Sequence, residues 1–183
     1  MAKSKLDKII KILISICLIV CMYLGVVGIL WFRDINLPYT IDGYANRDMV
    51  LKSLYDDYVS LNETYNKRAN RRFLANDLGV HLYFYTEANL RKYNGLCYGA
   101  IRLIVIDKDL SGMQYCVTLA HEMMHLKKMS KKESYICFET FKYLYESEDM
   151  HNVGVWYAIK QLEGEYSGEY NVSNQIVDYL TNK

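Results

Sequence analysis

Two histidines and a glutamate in the segment His121-Glu122-Met123-Met124-His125 are suited to metal-assisted chemistry. Residues four apart lie on one face of a helix, so the two imidazoles supply two corners of a tetrahedral zinc site. Glu122 projects to the side of the metal, where it would accept a proton from metal-bound water instead of acting as a ligand. Zinc lowers the pKa of such water from ~15.7 to about 7. The pattern predicts hydrolysis with Glu122 as general base.

The residues around this pair favour a buried helix. Five apolar side chains cover much of its surface, namely Val117, Leu119, Ala120, Met123 and Met124. Two unpartnered histidines in such a place would be costly, and a bound Zn²⁺ removes that cost. The alternative is a pair of core histidines that make ordinary hydrogen bonds and bind no metal.

The third ligand is sought on the helix that follows. If the first helix ends near Met129 and the next begins at Ser130, folding back antiparallel, His121 lies about 10–12 Å before the turn. Glu139 then lies about 13 Å into the second helix, at a matching level, with its side chain tilted back toward the turn. This geometry predicts Glu139 as the third zinc ligand.

Three other residues are weaker candidates for that position. Glu133 is level with His125 but is expected to cap the second helix. His151 requires the chain to bend back from beyond that helix, and Glu146 lies too far along it.

The remaining elements are predicted from apolar spacing and turn residues. A helix is expected over 46–76, and a β-like run over 80–85. Residues 96–106 are expected to form one bent strand or two short ones. Capping boxes at Ser111 and Ser130 open helices over 112–128 and 130–148. Two further helices are expected over 153–162 and 173–179, separated by 164–168.

The N-terminal region predicts a membrane anchor. Ile12 to Phe32 are 21 residues without a charged side chain, and a helix of that length, about 30 Å, crosses a bilayer. Lysines precede the run at positions 3, 5, 8 and 11. This bias places the N-terminus in the cytoplasm and the following domain outside it. The run is too long for the apolar part of a cleaved signal peptide.

Composition narrows the class of protein further. The chain has 183 residues and a net charge of +1, with its basic residues scattered. No nucleic-acid partner is therefore expected. Cys97, Cys116 and Cys137 are expected to be small buried residues, with no disulfide predicted among them.

The stretch from Thr118 to Leu126 resembles the gluzincin class of metallopeptidases, in which a Glu on the next helix follows HExxH. The chain is most similar to ImmA/IrrE-type peptidases, with Ile101 to Asp107 matching their strand and Glu139-Thr140 their Glu-plus-small pair. The resemblance implies a zincin fold with a short sheet above the active-site helix. It also implies that an edge strand, at Arg102 to Ile106, holds an extended peptide. An oxyanion-stabilising Tyr or His is implied too, with four candidates: Tyr143, Tyr145, Tyr157 and His151.

These observations predict an α+β chain in three parts. Residues 1–33 form a cytoplasmic stub and single transmembrane anchor, 34–45 a linker, and 46–183 a minimal zincin-like domain. The expected function is zinc-dependent hydrolysis of a protein or peptide substrate near the membrane. The alternative is a non-catalytic, membrane-anchored zinc domain that binds a partner.

Overall fold

A computed structural model describes residues 14–22, 47–58, 66–129 and 132–183. Residues 14–22 are helical (α1) and their side chains are exposed. The helices that follow are α2 (Arg47–Asp57), α3 (Lys67–Asp77), α4 (Gly112–Lys128), α5 (Glu133–Glu146), α6 (His151–Glu163) and α7 (Ser173–Thr181). The strands are β1 (Phe84–Ala88), β2 (Gly95–Tyr98) and β3 (Leu103–Asp107). The predicted α+β class is confirmed.

α4 is the central element of the domain. It packs against β2 and β3 on one side and against α3, α5 and α6 on the others. Leu119, Ala120 and Met123 are fully buried, as the apolar surface of this segment predicted. A helix that packs against neighbours on most sides is held rigidly. The side chains that it carries therefore keep their relative positions.

The sheet has the order β1-β3-β2, with β1 parallel and β2 antiparallel to β3. The inward face of β3 carries Ile104 and Ile106, both fully buried against the helical layer. Two short strands therefore form over the segment predicted as one bent strand or two. The expectation that Arg102 to Ile106 is an edge strand is wrong, because β3 pairs on both sides. β2, which pairs antiparallel with β3, lies at one edge of the sheet.

Several predicted boundaries are corrected. The helix expected over 46–76 is two helices, since Asn66 caps the start of α3 through a hydrogen bond from the Ala69 amide. The strand expected over 80–85 begins only at Phe84, because the Val80 amide bonds to the Ala75 carbonyl in the cap of α3. Ser111 does precede α4, but its side chain makes no capping hydrogen bond.

The second capping box and the N-terminal region fall largely outside the described residues. Ser130 lies outside them, and α5 begins at Glu133. The predicted linker 34–45 and most of the predicted span 12–32 also lie outside them. Among the residues that the structure describes, no helix combines the length and apolar character needed to cross a bilayer.

Candidate metal centre

The two histidines of α4 point their Nε2 atoms at each other. The Nε2 atoms of His121 and His125 are 3.1 Å apart, and the ring centroids are 4.7 Å apart. This is the arrangement predicted from their spacing of one helical turn. The geometry brings the two rings together, and their service as ligands of one metal ion stays a prediction.

Glu133, the first residue of α5, completes the group. Its Oε2 atom lies 3.2 Å from His121 Nε2 and 3.3 Å from His125 Nε2. Among the described residues, these three side chains are the one cluster with metal-ligand geometry. In a tetrahedral zinc site, ligand atoms are separated by roughly 3.3–3.6 Å. The donor atoms need to move apart by only a few tenths of an ångström to fit Zn²⁺.

The orientation of Glu133 supports a cation more than a set of hydrogen bonds. Its Oε2 atom is buried and makes no hydrogen bond of regular geometry, although two imidazole nitrogens are within 3.3 Å. A buried carboxylate oxygen that lacks a regular hydrogen bond, beside two imidazole nitrogens, fits a bound metal ion. The residues present therefore fit zinc.

The electrostatics of the cluster favour positive charge. Desolvation acts to lower the pKa of His121, but the nearby Cys137 sulfur and the Glu133 carboxylate outweigh it and raise that pKa to about 10. Burial acts to raise the pKa of Glu133, and the two histidines more than offset it and lower that pKa to about 2. The cluster thus attracts a cation and keeps its carboxylate ionised.

Glu139 is not brought to the histidine pair. Its Oε2 atom accepts an ion pair from Lys128 Nζ at 2.8 Å, and Lys142 lies 4.0 Å from Oε1. The prediction of Glu139 as third ligand assumed that the second helix begins at Ser130, and it used the rise per residue from that point. α5 begins instead at Glu133, and Met129 and Lys132, which flank α4 and α5, both have non-helical backbone angles. The helical rise therefore cannot be counted from Ser130 to Glu139.

The other candidates are also elsewhere. His151 bonds through Nδ1 to the Tyr145 carbonyl, and its ring packs on that of Tyr145. Glu146 accepts a hydrogen bond from the Tyr179 hydroxyl. Tyr145 is thus engaged with His151, and Tyr157 is buried with its hydroxyl bonded to Gln161.

Glu122 lies on α4 toward β2, beside the cluster. It is 6% exposed, and burial raises its pKa, while His121 and His125 act in the opposite direction. A carboxylate with a raised pKa is a stronger base, and it interacts electrostatically with all three members of the cluster. The role of general base stays a prediction for Glu122.

The edge strand β2 borders Glu122 closely. A Cβ atom added at Gly95 would lie 2.8 Å from Glu122 Oε1 and 2.8 Å from Thr118 Cγ2. Two residues along, burial and the charges of Glu122 and Glu133 raise the pKa of Cys97 to about 12. The side chains of His121, His125 and Glu133 keep 14, 20 and 27% of their surface exposed. The cluster is therefore partly open to solvent.

Sequence reasoning missed two residues near the cluster. The Sγ atom of Cys137 lies 3.8 Å from His121 Nδ1. Burial raises the pKa of Tyr170, and the charges of Glu133 and Glu122 add to that effect, so its hydroxyl lies within their field. Cys137 shows no distinctive motif. Tyr170 is one of 18 tyrosines, and its position depends on a short 3₁₀ turn packed on α5.

Comparison with known proteins assigns neither a family nor a function to this chain. No family model, no curated protein and no solved structure matches this chain. Functional argument therefore rests on the site itself.

Gly95→Ala is predicted to lower activity without removing metal. The added methyl group meets the β-branched Thr118 side chain, which has little freedom, and the Glu122 carboxylate, which must shift. Misplacing a catalytic group by a fraction of an ångström to 1 Å costs roughly 10–100-fold. We expect kcat/KM for peptide cleavage to fall in that range while zinc content stays constant.

The matched control is Gly99→Ala, near the same edge, where an added Cβ has no atom within 4 Å. It should retain wild-type kcat/KM. Equal losses in both variants would mean that the close contact with Glu122 is not the cause.

Proposed function

We propose that this chain is a zinc-dependent peptidase of the gluzincin type, similar to ImmA/IrrE-type enzymes. One observation carries the proposal: His121, His125 and Glu133 bring three donor atoms within 3.3 Å of one another, beside a buried carboxylate. A carboxylate that only bound metal would point into the cluster. Glu122 instead lies beside the cluster, against Gly95 of β2.

Each residue has a distinct role in the proposed reaction. His121, His125 and Glu133 would hold the ion. Zinc in that position supplies a Lewis acid that polarises the scissile carbonyl and lowers the pKa of water. Glu122 accepts the proton of the attacking water and passes it to the leaving amine. We add Tyr170, whose hydroxyl lies within the field of Glu133 and Glu122, to the four candidates taken from the sequence for donation to the developing oxyanion.

β2 is the proposed substrate-binding edge, in place of Arg102 to Ile106. It pairs only with β3 among the described strands, so its outer backbone groups are available to an extended peptide. A peptide added there would run past Gly95 and Glu122. Because Gly95 has no side chain, the Glu122 carboxylate can lie directly against the backbone of β2.

We also propose that residues 12–32 anchor the chain in a membrane, with the N-terminus cytoplasmic and the peptidase domain outside the cytoplasm. The support is the uncharged 21-residue run and the lysines before it. The substrates would then be proteins or peptides near the membrane, on its non-cytoplasmic side.

The test combines metal analysis with digestion of a peptide library by the purified domain, residues 47–183, and by the full chain. We expect about one zinc per chain and cleavage that a chelator stops and added zinc restores. Stoichiometric zinc without cleavage of any peptide would favour a non-catalytic zinc domain. Absence of bound zinc would overturn the proposal.

A further inference from the structure

His121 contacts a buried thiol on the side away from the metal cluster. The Sγ atom of Cys137, on α5, lies 3.8 Å from His121 Nδ1, within the range for a hydrogen bond to sulfur. Cys137 is 2% exposed. The two nitrogens of His121 therefore have different partners: Nε2 faces His125 and Glu133, and Nδ1 faces sulfur.

The partner of Nδ1 decides whether Nε2 can bind a metal. A neutral imidazole carries its proton on one nitrogen only, and the metal takes the other. If sulfur accepts the Nδ1 proton, the Nε2 lone pair is free for the cluster. If the thiol donates to Nδ1, the proton moves to Nε2 and blocks it.

Zinc on Nε2 requires the first of these two states, because the bound neutral imidazole then keeps its proton on Nδ1. The Tyr157 hydroxyl is a second partner of the sulfur, and burial raises the pKa of Tyr157 far above its usual range, so it keeps its proton. Gln161 Nε2 donates to the Tyr157 oxygen at 2.9 Å, which leaves the phenolic proton to point at sulfur.

Gln161 cannot turn to reverse this order. Its Nε2 also donates to the Tyr170 carbonyl at 2.9 Å, and its Oε1 accepts from the Val172 amide at 2.9 Å. It is fully buried. The directions of these hydrogen bonds are thus set from the backbone at 170 and 172 inward as far as the Tyr157 hydroxyl.

We propose that Cys137 is a positioning residue for the metal site, whose sulfur accepts the Nδ1 proton of His121 and so directs the Nε2 lone pair at the ion. Tyr157 and Gln161 lie on the other side of the sulfur and hold it in place beside His121. This inference rests on the proposed zinc site, but it does not require peptidase activity. Removing the group that hydrogen-bonds to the non-ligating nitrogen of a metal-bound histidine lowers metal affinity by roughly 10–100-fold.

The experiment measures zinc affinity by competition with a chromogenic chelator in wild type, Cys137→Ala, Cys137→Ser and Tyr157→Phe. We expect Cys137→Ala to weaken zinc binding roughly 10–100-fold. Cys137→Ser, which retains an acceptor, should recover part of that loss, and Tyr157→Phe should weaken binding less than Cys137→Ala. Co²⁺-loaded Cys137→Ala should also have altered visible d–d bands.

Cys116→Ala is the matched control, because Cys116 is a second buried thiol, 3% exposed, on the histidine-bearing helix. Its sulfur accepts from Asn70 Nδ2 at 3.5 Å instead of from a ligand. Zinc affinity should change less than twofold. An equal loss of affinity in Cys116→Ala and Cys137→Ala would overturn the proposal, since general loosening of the core would explain both.

A measurement on the wild-type chain does not depend on whether any variant folds. Nitrogen-15 NMR of the histidine side chains in the zinc-loaded chain should detect a slowly exchanging proton on His121 Nδ1. An unprotonated Nδ1 would sink the inference. If zinc binds and Cys137→Ala weakens it but no peptide is cut, the peptidase proposal fails while the role of Cys137 stands.

Discussion

Glu122→Gln should abolish peptide cleavage and leave zinc bound. Gln has the shape of Glu but cannot accept the proton of an attacking water, and loss of a general base costs roughly 10²–10⁴-fold in rate. The three donor atoms of the cluster come from other residues, so zinc content should equal that of the wild type. The measurement is kcat/KM on a cleaved library peptide, alongside metal analysis.

Stability should not confound this result. Burial raises the pKa of Glu122, so its ionised form is disfavoured in the folded state and stability falls as the pH rises through that pKa. A neutral Gln removes this cost, and the free energy of unfolding at neutral pH should stay constant or rise. Glu139→Gln is the control, because Glu139 pairs with Lys128 away from the cluster. Undiminished cleavage by Glu122→Gln would refute the role of this carboxylate.

Glu133→Ala should abolish stoichiometric zinc binding, whereas Glu139→Ala should not. Glu133 supplies one of three donor atoms within 3.3 Å of one another, so its loss should exceed the roughly 10–100-fold effect of supporting residues. Glu139 makes a partly exposed ion pair with Lys128, and such pairs contribute about 0–1 kcal/mol to stability. Zinc affinity is measured by chelator competition.

The comparison separates the two assignments for the third ligand. Both variants remove one carboxylate from α5, so changes in helix content or net charge are matched. Retention of zinc by Glu133→Ala together with its loss in Glu139→Ala would restore the assignment made from the sequence.

The sequence predicted the half of the site that lies within one helix. A spacing of four residues determines how His121 and His125 meet, because helical geometry is local. Glu122 follows from the same periodicity. The bounds predicted for α4, 112–128, are confirmed, since the apolar pattern is continuous across it.

The other half depends on how separate elements cross. The choice between Glu133 and Glu139 was set by the connection between α4 and α5, whose length in space cannot be read from residue number. The same limit explains why the edge strand was misplaced: strand order is decided by long-range pairing of β3 with both neighbours. Cys137 and Tyr170 come to the cluster only through packing of α5 and the 3₁₀ turn.

The three metal donors lie close together along the chain, between residues 121 and 133. A denatured chain therefore retains much of the chelating segment, and it will compete for zinc with the native state. Linkage theory then predicts a smaller rise in melting temperature on adding zinc than the native-state dissociation constant would imply. Calorimetric titration of the folded protein, rather than thermal shift, is the sounder measure of affinity for this molecule.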